Sequence, residues 1–175
     1  MPRVRAQIQI PVEMRAYMKR HLAAVAVIIV ALTFPGLTLA QNNPRIGTWK
    51  LNLEKSKGFP GPPPKSRTVT YEAAGKNGQK CTVTEIDAKG DSTGGGYTAQ
   101  FDGKDYPVIG LGPNITIAVE QIDAHTAKFT AKVAGKVVSI GKGVVSDDGK
   151  VFTVTNNVIQ ASGNSTIEVD VYDKQ

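Results

Sequence analysis

Residues 67–90 read Arg67-Thr68-Val69-Thr70-Tyr71-Glu72-Ala73-Ala74-Gly75-Lys76-Asn77-Gly78-Gln79-Lys80-Cys81-Thr82-Val83-Thr84-Glu85-Ile86-Asp87-Ala88-Lys89-Gly90. From Arg67 to Ala73, Val69 and Tyr71 fall on one face and Thr68 and Thr70 on the other, the period of a half-buried β-strand. Lys76-Asn77-Gly78 supplies turn chemistry, and Lys80 to Asp87 repeats the alternation. Asp87-Ala88-Lys89-Gly90 then turns the chain again. Two runs rich in β-formers, separated by a short Gly/Asn cluster, define an antiparallel hairpin.

The same unit recurs on both sides. Upstream, Ile46 to Leu53 is extended and is followed by the stiff loop Gly58-Phe59-Pro60-Gly61-Pro62-Pro63-Pro64. Downstream come Gly95 to Phe101, the Asp102-Gly103 hairpin signal, the short Tyr106-Pro107-Val108, and Asn114 to Ile122. Asp123-Ala124-His125 turns the chain into Ala127 to Val133, and Gly135-Lys136 turns it into Val137 to Val145. Asp147-Asp148-Gly149-Lys150 and Ser162-Gly163-Asn164 flank Val151 to Ile159, and Thr166 to Tyr172 is the last strand. After Gln41 no segment has the period of an amphipathic helix. Strands with short connections predict an all-β fold, an antiparallel up-and-down β-barrel of about eight to ten strands. Closure protects the sheet edges, and a barrel of this size has room for one small ligand. A two-sheet sandwich, the alternative, needs longer crossings than this chain offers.

Residues 1–40 carry a different message. Arg15, Lys19 and Arg20 precede the apolar run from Leu22 to Leu32, which closes on Thr38-Leu39-Ala40. This is the order of a cleaved signal peptide, with the mature domain spanning 41–175 in the periplasm or outside the cell. The run is too short for a bilayer core and is followed by Pro35 and Gly36, so no membrane anchor is expected after cleavage. Residues 1–40 hold Arg3, Arg5, Arg15, Lys19 and Arg20 against Glu13. Of the net charge of +6, only +2 therefore stays with residues 41–175. That balance argues against a nucleic-acid partner, which requires a dense basic surface. A monomer is expected.

Cys81 is the sole cysteine, so no internal disulfide forms, and it reads as a small buried hydrophobe. His125 is the only histidine after the leader and sits in a turn. With one Cys and one His, no structural metal site and no cofactor are expected. Glu85 and Asp87 share one strand face, as do Glu168 and Asp170. Such pairs can serve glycoside chemistry, but a solvent-facing row looks the same and is favoured here. Gly94-Gly95-Gly96 lacks the Gly-Lys-Ser/Thr of a phosphate loop and reads as a bulge or a bend.

Gly47-Thr48-Trp49 on the first strand of such a meander resembles the Gly-x-Trp motif of lipocalins and the wider calycin group. The chain also resembles small exported bacterial proteins with a lipocalin-like domain. It does so through Gly47-Thr48-Trp49-Lys50-Leu51-Asn52, Lys55-Ser56-Lys57, Pro64-Lys65-Ser66 and Thr68-Val69-Thr70-Tyr71-Glu72. Asp102-Gly103-Lys104-Asp105-Tyr106-Pro107-Val108 and Val171-Tyr172-Asp173-Lys174 continue the match. The resemblance implies that Trp49 packs across the closed barrel end and that Gly47 lets the strand bend. In lipocalins a late Arg stacks on the Trp. No Arg follows Arg67 here, so a cation over Trp49 must be a lysine, Arg45 or Arg67.

These readings converge on a non-enzymatic barrel that binds a small apolar or amphipathic molecule. Lys57, Lys65 and Arg67 flank the proline loop around Phe59 and are expected to receive an acidic head group at the open end. Tyr71, Tyr97 and Phe101 are expected to line the interior around the tail. The alternative is an envelope interaction or inhibitor protein whose barrel is filled by its own side chains. A barrel isomerase or hydrolase is disfavoured by the scarcity of catalytic groups.

Overall fold

The computed structural model describes residues 43–160 and 162–175, and the expected leader and its cleavage lie outside them. The described chain holds ten strands and no helix. They are β1 (Gly47–Leu51), β2 (Ser66–Ala73), β3 (Gly78–Ile86), β4 (Ser92–Gln100) and β5 (Tyr106–Ile109). β6 (Ile115–Gln121), β7 (Thr126–Val133), β8 (Lys136–Val145), β9 (Val151–Ile159) and β10 (Ser165–Lys174) follow. Each pairs antiparallel with its sequence neighbour, and β10 returns to β1 to close the barrel. The fold is the up-and-down barrel that the alternation predicts. Closure leaves no free sheet edge along the paired lengths.

Period two decides which side chains enter the lumen. On β1, Trp49 and Leu51 are buried while Lys50 is exposed. The register Trp49↔Val69 and Leu51↔Tyr172 carries that face to β2 and β10. Val69, Cys81, Val145, Phe152 and Tyr172 join Trp49 and Leu51 in one core cluster. Phe152 is its hub: its ring centroid lies 5.4 Å from Trp49, 5.8 Å edge-on from Tyr71 and 6.0 Å from Tyr172. These separations are in the favourable range for aromatic pairs. A second cluster joins Ala99, Val119 and Ala127 with Tyr97, Phe101, Tyr106 and Ile117.

β10 reverses the expected facing of its charges. Its apolar row turns outward, with Ile167 55% exposed, whereas Glu168 and Asp170 are buried. The solvent-facing reading of this pair is therefore corrected. Tyr172 sits opposite Leu51 and Phe152 on the core face, and the two acids share that face by alternation. Gly94-Gly95-Gly96 also differs from its reading: it lies inside β4, paired without a shift to Thr84, Val83 and Thr82.

β1 has five residues, against eight in β2 and ten in β10. Beyond Leu51 the chain leaves the wall but stays on β10. Asn52 N donates to Val171 O at 2.8 Å, and Lys57 and Val169 exchange two backbone bonds of 2.9 and 2.8 Å. Gly58 follows with φ +79, where a Cβ would strike the carbonyl oxygen of Ile167. The loop then runs through Phe59, which packs on the Trp49 cluster, to Lys65, whose N donates to Ile86 O at 2.8 Å.

Candidate functional site: a cavity in the barrel lumen

The barrel encloses a cavity of about 340 Å³. Its middle is apolar, walled by Val69, Val83, Val119, Phe129, Phe152 and Val154. Thr93 and Leu111 belong to the lining and are also exposed, so the cavity opens beside the start of β4 and the loop after β5. Gly94 belongs to the lining there, and a Cβ on its neighbour Gly95 would strike the Ile109 carbonyl oxygen. That Cβ would also lie 2.7 Å from Leu111 Cγ.

Polar groups gather at two places. At the closed end Arg45 is 2% exposed. Its Nη1 donates to Gln79 Oε1 at 2.8 Å, and Gln79 Nε2 donates to the Tyr97 hydroxyl at 2.8 Å. Its guanidinium carbon lies 5.7 Å from the centroid of Phe101, within cation–π range. The Arg45 carbonyl accepts the indole N–H of Trp49 at 2.8 Å. Arg45 Nε and Nη2 have no partner. Burial lowers the Arg45 pKa, because removing the guanidinium from water disfavours its charged form.

Toward the other end, Arg67 Nε donates to Glu85 Oε2, and Nη1 donates to Asp170 Oδ2 at 2.6 Å with Glu168 Oε1 at 4.0 Å. The Tyr172 hydroxyl donates to Asp170 Oδ2 at 3.1 Å. Arg67 thereby bridges β2 and β10 where β1 has already ended. Burial raises the pKa of both Glu168 and Asp170, with Arg67 opposing the shift.

Of the residues singled out in the sequence, Arg67, Tyr71 and Tyr97 meet in the cavity wall. Phe59 packs on the Trp49 cluster from the loop, and Phe101 lies beneath Arg45 in the second cluster. Lys57 and Lys65 are exposed and outside the lining; Lys57 engages Val169 through its backbone, and Lys65 Nζ reaches Lys89 O at 3.4 Å. Arg67 points inward to carboxylates rather than joining a collar around Phe59. Gly47 and Trp49 lie on β1, and the cation over the indole is Lys174, 5.0 Å from the ring centroid. Gln79 is a site residue that the sequence reading does not name; Arg45 enters there only as a cation for Trp49, and Glu85, read as solvent-facing, instead lines the cavity and pairs with Arg67. Gln79 and Glu85 share the period-two face of Cys81 and Val83, whereas Arg45 precedes the first strand and carries no periodic signal.

Cys81 lies in the wall between Tyr71 and Tyr97, and burial pushes its thiol up to about 11. His125 Nδ1 is 3.1 Å from Val145 O in the turn between β6 and β7. Among the described residues no group of three or more His, Cys, Asp and Glu is placed to hold a metal ion.

The closed antiparallel β-barrel with an internal cavity is the kind of fold that the resemblance through Gly47-Thr48-Trp49 implies. No protein-family model matches the chain, and no curated protein matches it. Among solved structures, a mutant of the fluorescent protein UnaG aligns with a TM-score of 0.52 and 15% identity, over 75% of this chain and 96% of that one. A second UnaG mutant gives 0.51 at 14% identity, over 74% and 94%. A cholic acid complex of the zebrafish ileal bile acid-binding protein aligns at 12% identity with a TM-score of 0.45, over 75% and 99%. At such identities what is shared with UnaG is the barrel fold.

Proposed function

We propose that this protein is a non-enzymatic carrier or receptor for one small amphipathic molecule, held in the barrel lumen. The observation that carries the reading is the cavity of about 340 Å³, apolar along its middle with polar groups converging at its ends. Ligand sites characteristically combine an apolar wall with a few placed polar groups. The titratable groups support binding over catalysis. The Cys81 thiol is pushed up rather than activated, and the His125 ring lies against a backbone carbonyl. Export to the periplasm or beyond without a membrane anchor completes the proposal and rests on residues 1–40 of the sequence, and the closed barrel, with no free edge to pair with a second copy, supports a monomer.

Native mass spectrometry of the protein purified from its own host tests for a carried ligand. Titration of delipidated protein with fluorescent fatty acids and detergents tests for capacity. Saturable binding tighter than about 0.1 mM is expected. No carried mass and no saturable binding would overturn the reading. The second reading, a protein acting through its outer surface, is favoured by one observation. Ile140 and Ile167, 42% and 55% exposed, flank Asn157 in one outward row across β8, β9 and β10.

A further inference from the structure

Two arginines line the cavity, and they are in opposite states. Arg67 is ion-paired, with Glu85 on Nε and Asp170 on Nη1. Glu168 adds a third carboxylate 4.0 Å away. An incoming acid there would meet more negative charge than positive. Arg45 is more deeply buried and forms no ion pair among the described residues. Its one side-chain bond goes to the neutral Gln79. Leaving charged donors buried and unpartnered is costly, and native structures supply a partner.

The two unpartnered nitrogens are Nε and Nη2. In a guanidinium these form one edge, from which two N–H bonds point in parallel. That edge matches the two oxygens of a single carboxylate. Gln79 holds the remaining Nη1, and Phe101 lies against the guanidinium, so the fork is fixed before a ligand arrives. Gln79 and Glu85 stand near opposite ends of the nine-residue β3, roughly 20 Å apart along the strand. The cavity therefore separates a cationic closed end from an acid-rich end near its mouth.

We propose that Arg45 is a carboxylate-binding subsite at the closed end of the lumen, so that an amphipathic carboxylate lies with its acid group deep and its tail toward Leu111. This deepens the carrier reading and rests on it. The orientation is the reverse of that expected from Lys57, Lys65 and Arg67.

Calorimetric titration of the purified protein with decanoate and with decanol at neutral pH tests the subsite. Decanoate should bind at least about tenfold more tightly, since a hydrogen-bonded charge is at stake. Arg45→Met should abolish that preference while leaving decanol within about threefold of its parental affinity, because the apolar wall is intact. Arg45→Lys, which keeps the charge without the fork, should retain part of the preference.

A measurement on the unmutated protein keeps the proposal open to refutation if the variants misfold. The bound head group of carboxyl-labelled decanoate, followed by NMR, should titrate below free decanoate, because a nearby cation favours the charged form. Decanol binding as tightly as decanoate would remove the subsite and leave the carrier reading standing. A bound carboxyl titrating above the free acid, as among Glu85, Glu168 and Asp170, would do the same. Failure of both probes to bind would overturn subsite and carrier reading together.

Discussion

The ammonium of Lys174 lies 5.0 Å from the centroid of the Trp49 ring, on the residue that pairs with Trp49 across β1 and β10. The indole is thus held on two sides, its N–H by the Arg45 carbonyl and its face by a cation. Trp49 is fully buried. Trp49→Ala should destabilise the protein by about 3–5 kcal/mol, combining lost burial with a cavity. Lys174→Ala, at an exposed position, should lose about 0.5–1 kcal/mol. Urea unfolding followed by circular dichroism measures both. A tryptophan effect within about 0.5 kcal/mol would place the indole on the surface instead.

Gly47 makes room for that cation. Its φ is +131, and a Cβ would lie 3.2 Å from Lys174 Cε. Gly47→Ala should cost about 1–3 kcal/mol through backbone strain. The loss should persist in a Lys174→Ala background, because removing the lysine relieves the contact but not the φ. Additive unfolding energies in the double variant would check this.

Among the described residues Arg67 is the one cation in contact with three inward carboxylates. Removing it by Arg67→Met leaves Glu85 and Asp170 without their partner. The expected loss is about 3 kcal/mol, at the low end for a buried ion pair because a fifth of the side chain meets water. Adding Asp170→Asn should recover part of the loss, and thermal unfolding of the two variants decides. A double variant less stable than the single one would mean that Asp170 contributes through other contacts.

Glu168 is buried with a raised pKa, owing first to burial and then to Asp170. An acid whose pKa is higher folded than unfolded binds its proton more tightly in the folded state. Its contribution to stability therefore grows as pH falls from above the folded pKa toward the unfolded value of about 4.3. Glu168→Gln should be more stable than the parent at neutral pH, with the advantage vanishing on approach to about pH 4. Asp87, Asp123 and Asp173, which accept hydrogen bonds near the surface, have lowered pKa values and act in the opposite sense at lower pH. Urea midpoints across the pH range would check this, and an advantage that widens on acidification would count against it.

Lys57 and Lys65 offer a test of ligand orientation. Neither lines the cavity. Replacing both by alanine should leave decanoate affinity within about twofold at moderate salt, since exposed charges are screened over about 8 Å. A large loss would return the acid group to the proline loop.

Much of the barrel is legible in the sequence. The alternation bounds the ninth strand at Val151 to Ile159, where it lies, and the second within one residue at its start. The fourth is read from Gly95, yet it begins at Ser92. Glycine has little strand propensity of its own, and here pairing to β3 holds it in the sheet. The site is less legible. Alternation divides β10 into two faces without saying which is inside, and the apolar Ile167, Val169 and Val171 invite the wrong choice. The deciding contact, Tyr172 on Phe152, comes from a strand pairing that the sequence does not spell out. The burial of Arg45 is hidden for a related reason: nothing local marks it as buried, and the distant Gln79 and Phe101 enclose it.

The barrel is closed by a pairing between the two ends of the described chain. Asn52 and Asp173, 121 positions apart, are joined by a side-chain hydrogen bond beside it. The local hairpins from β2 to β10 can form in order as the chain emerges, but the Trp49 cluster needs Leu51 and Tyr172 at once. Contacts so far apart in sequence slow folding, because loop closure must precede the gain from packing. The lumen thus comes into existence late, after β10 has been synthesised. A chain shortened before Tyr172 would have hairpins but no binding site.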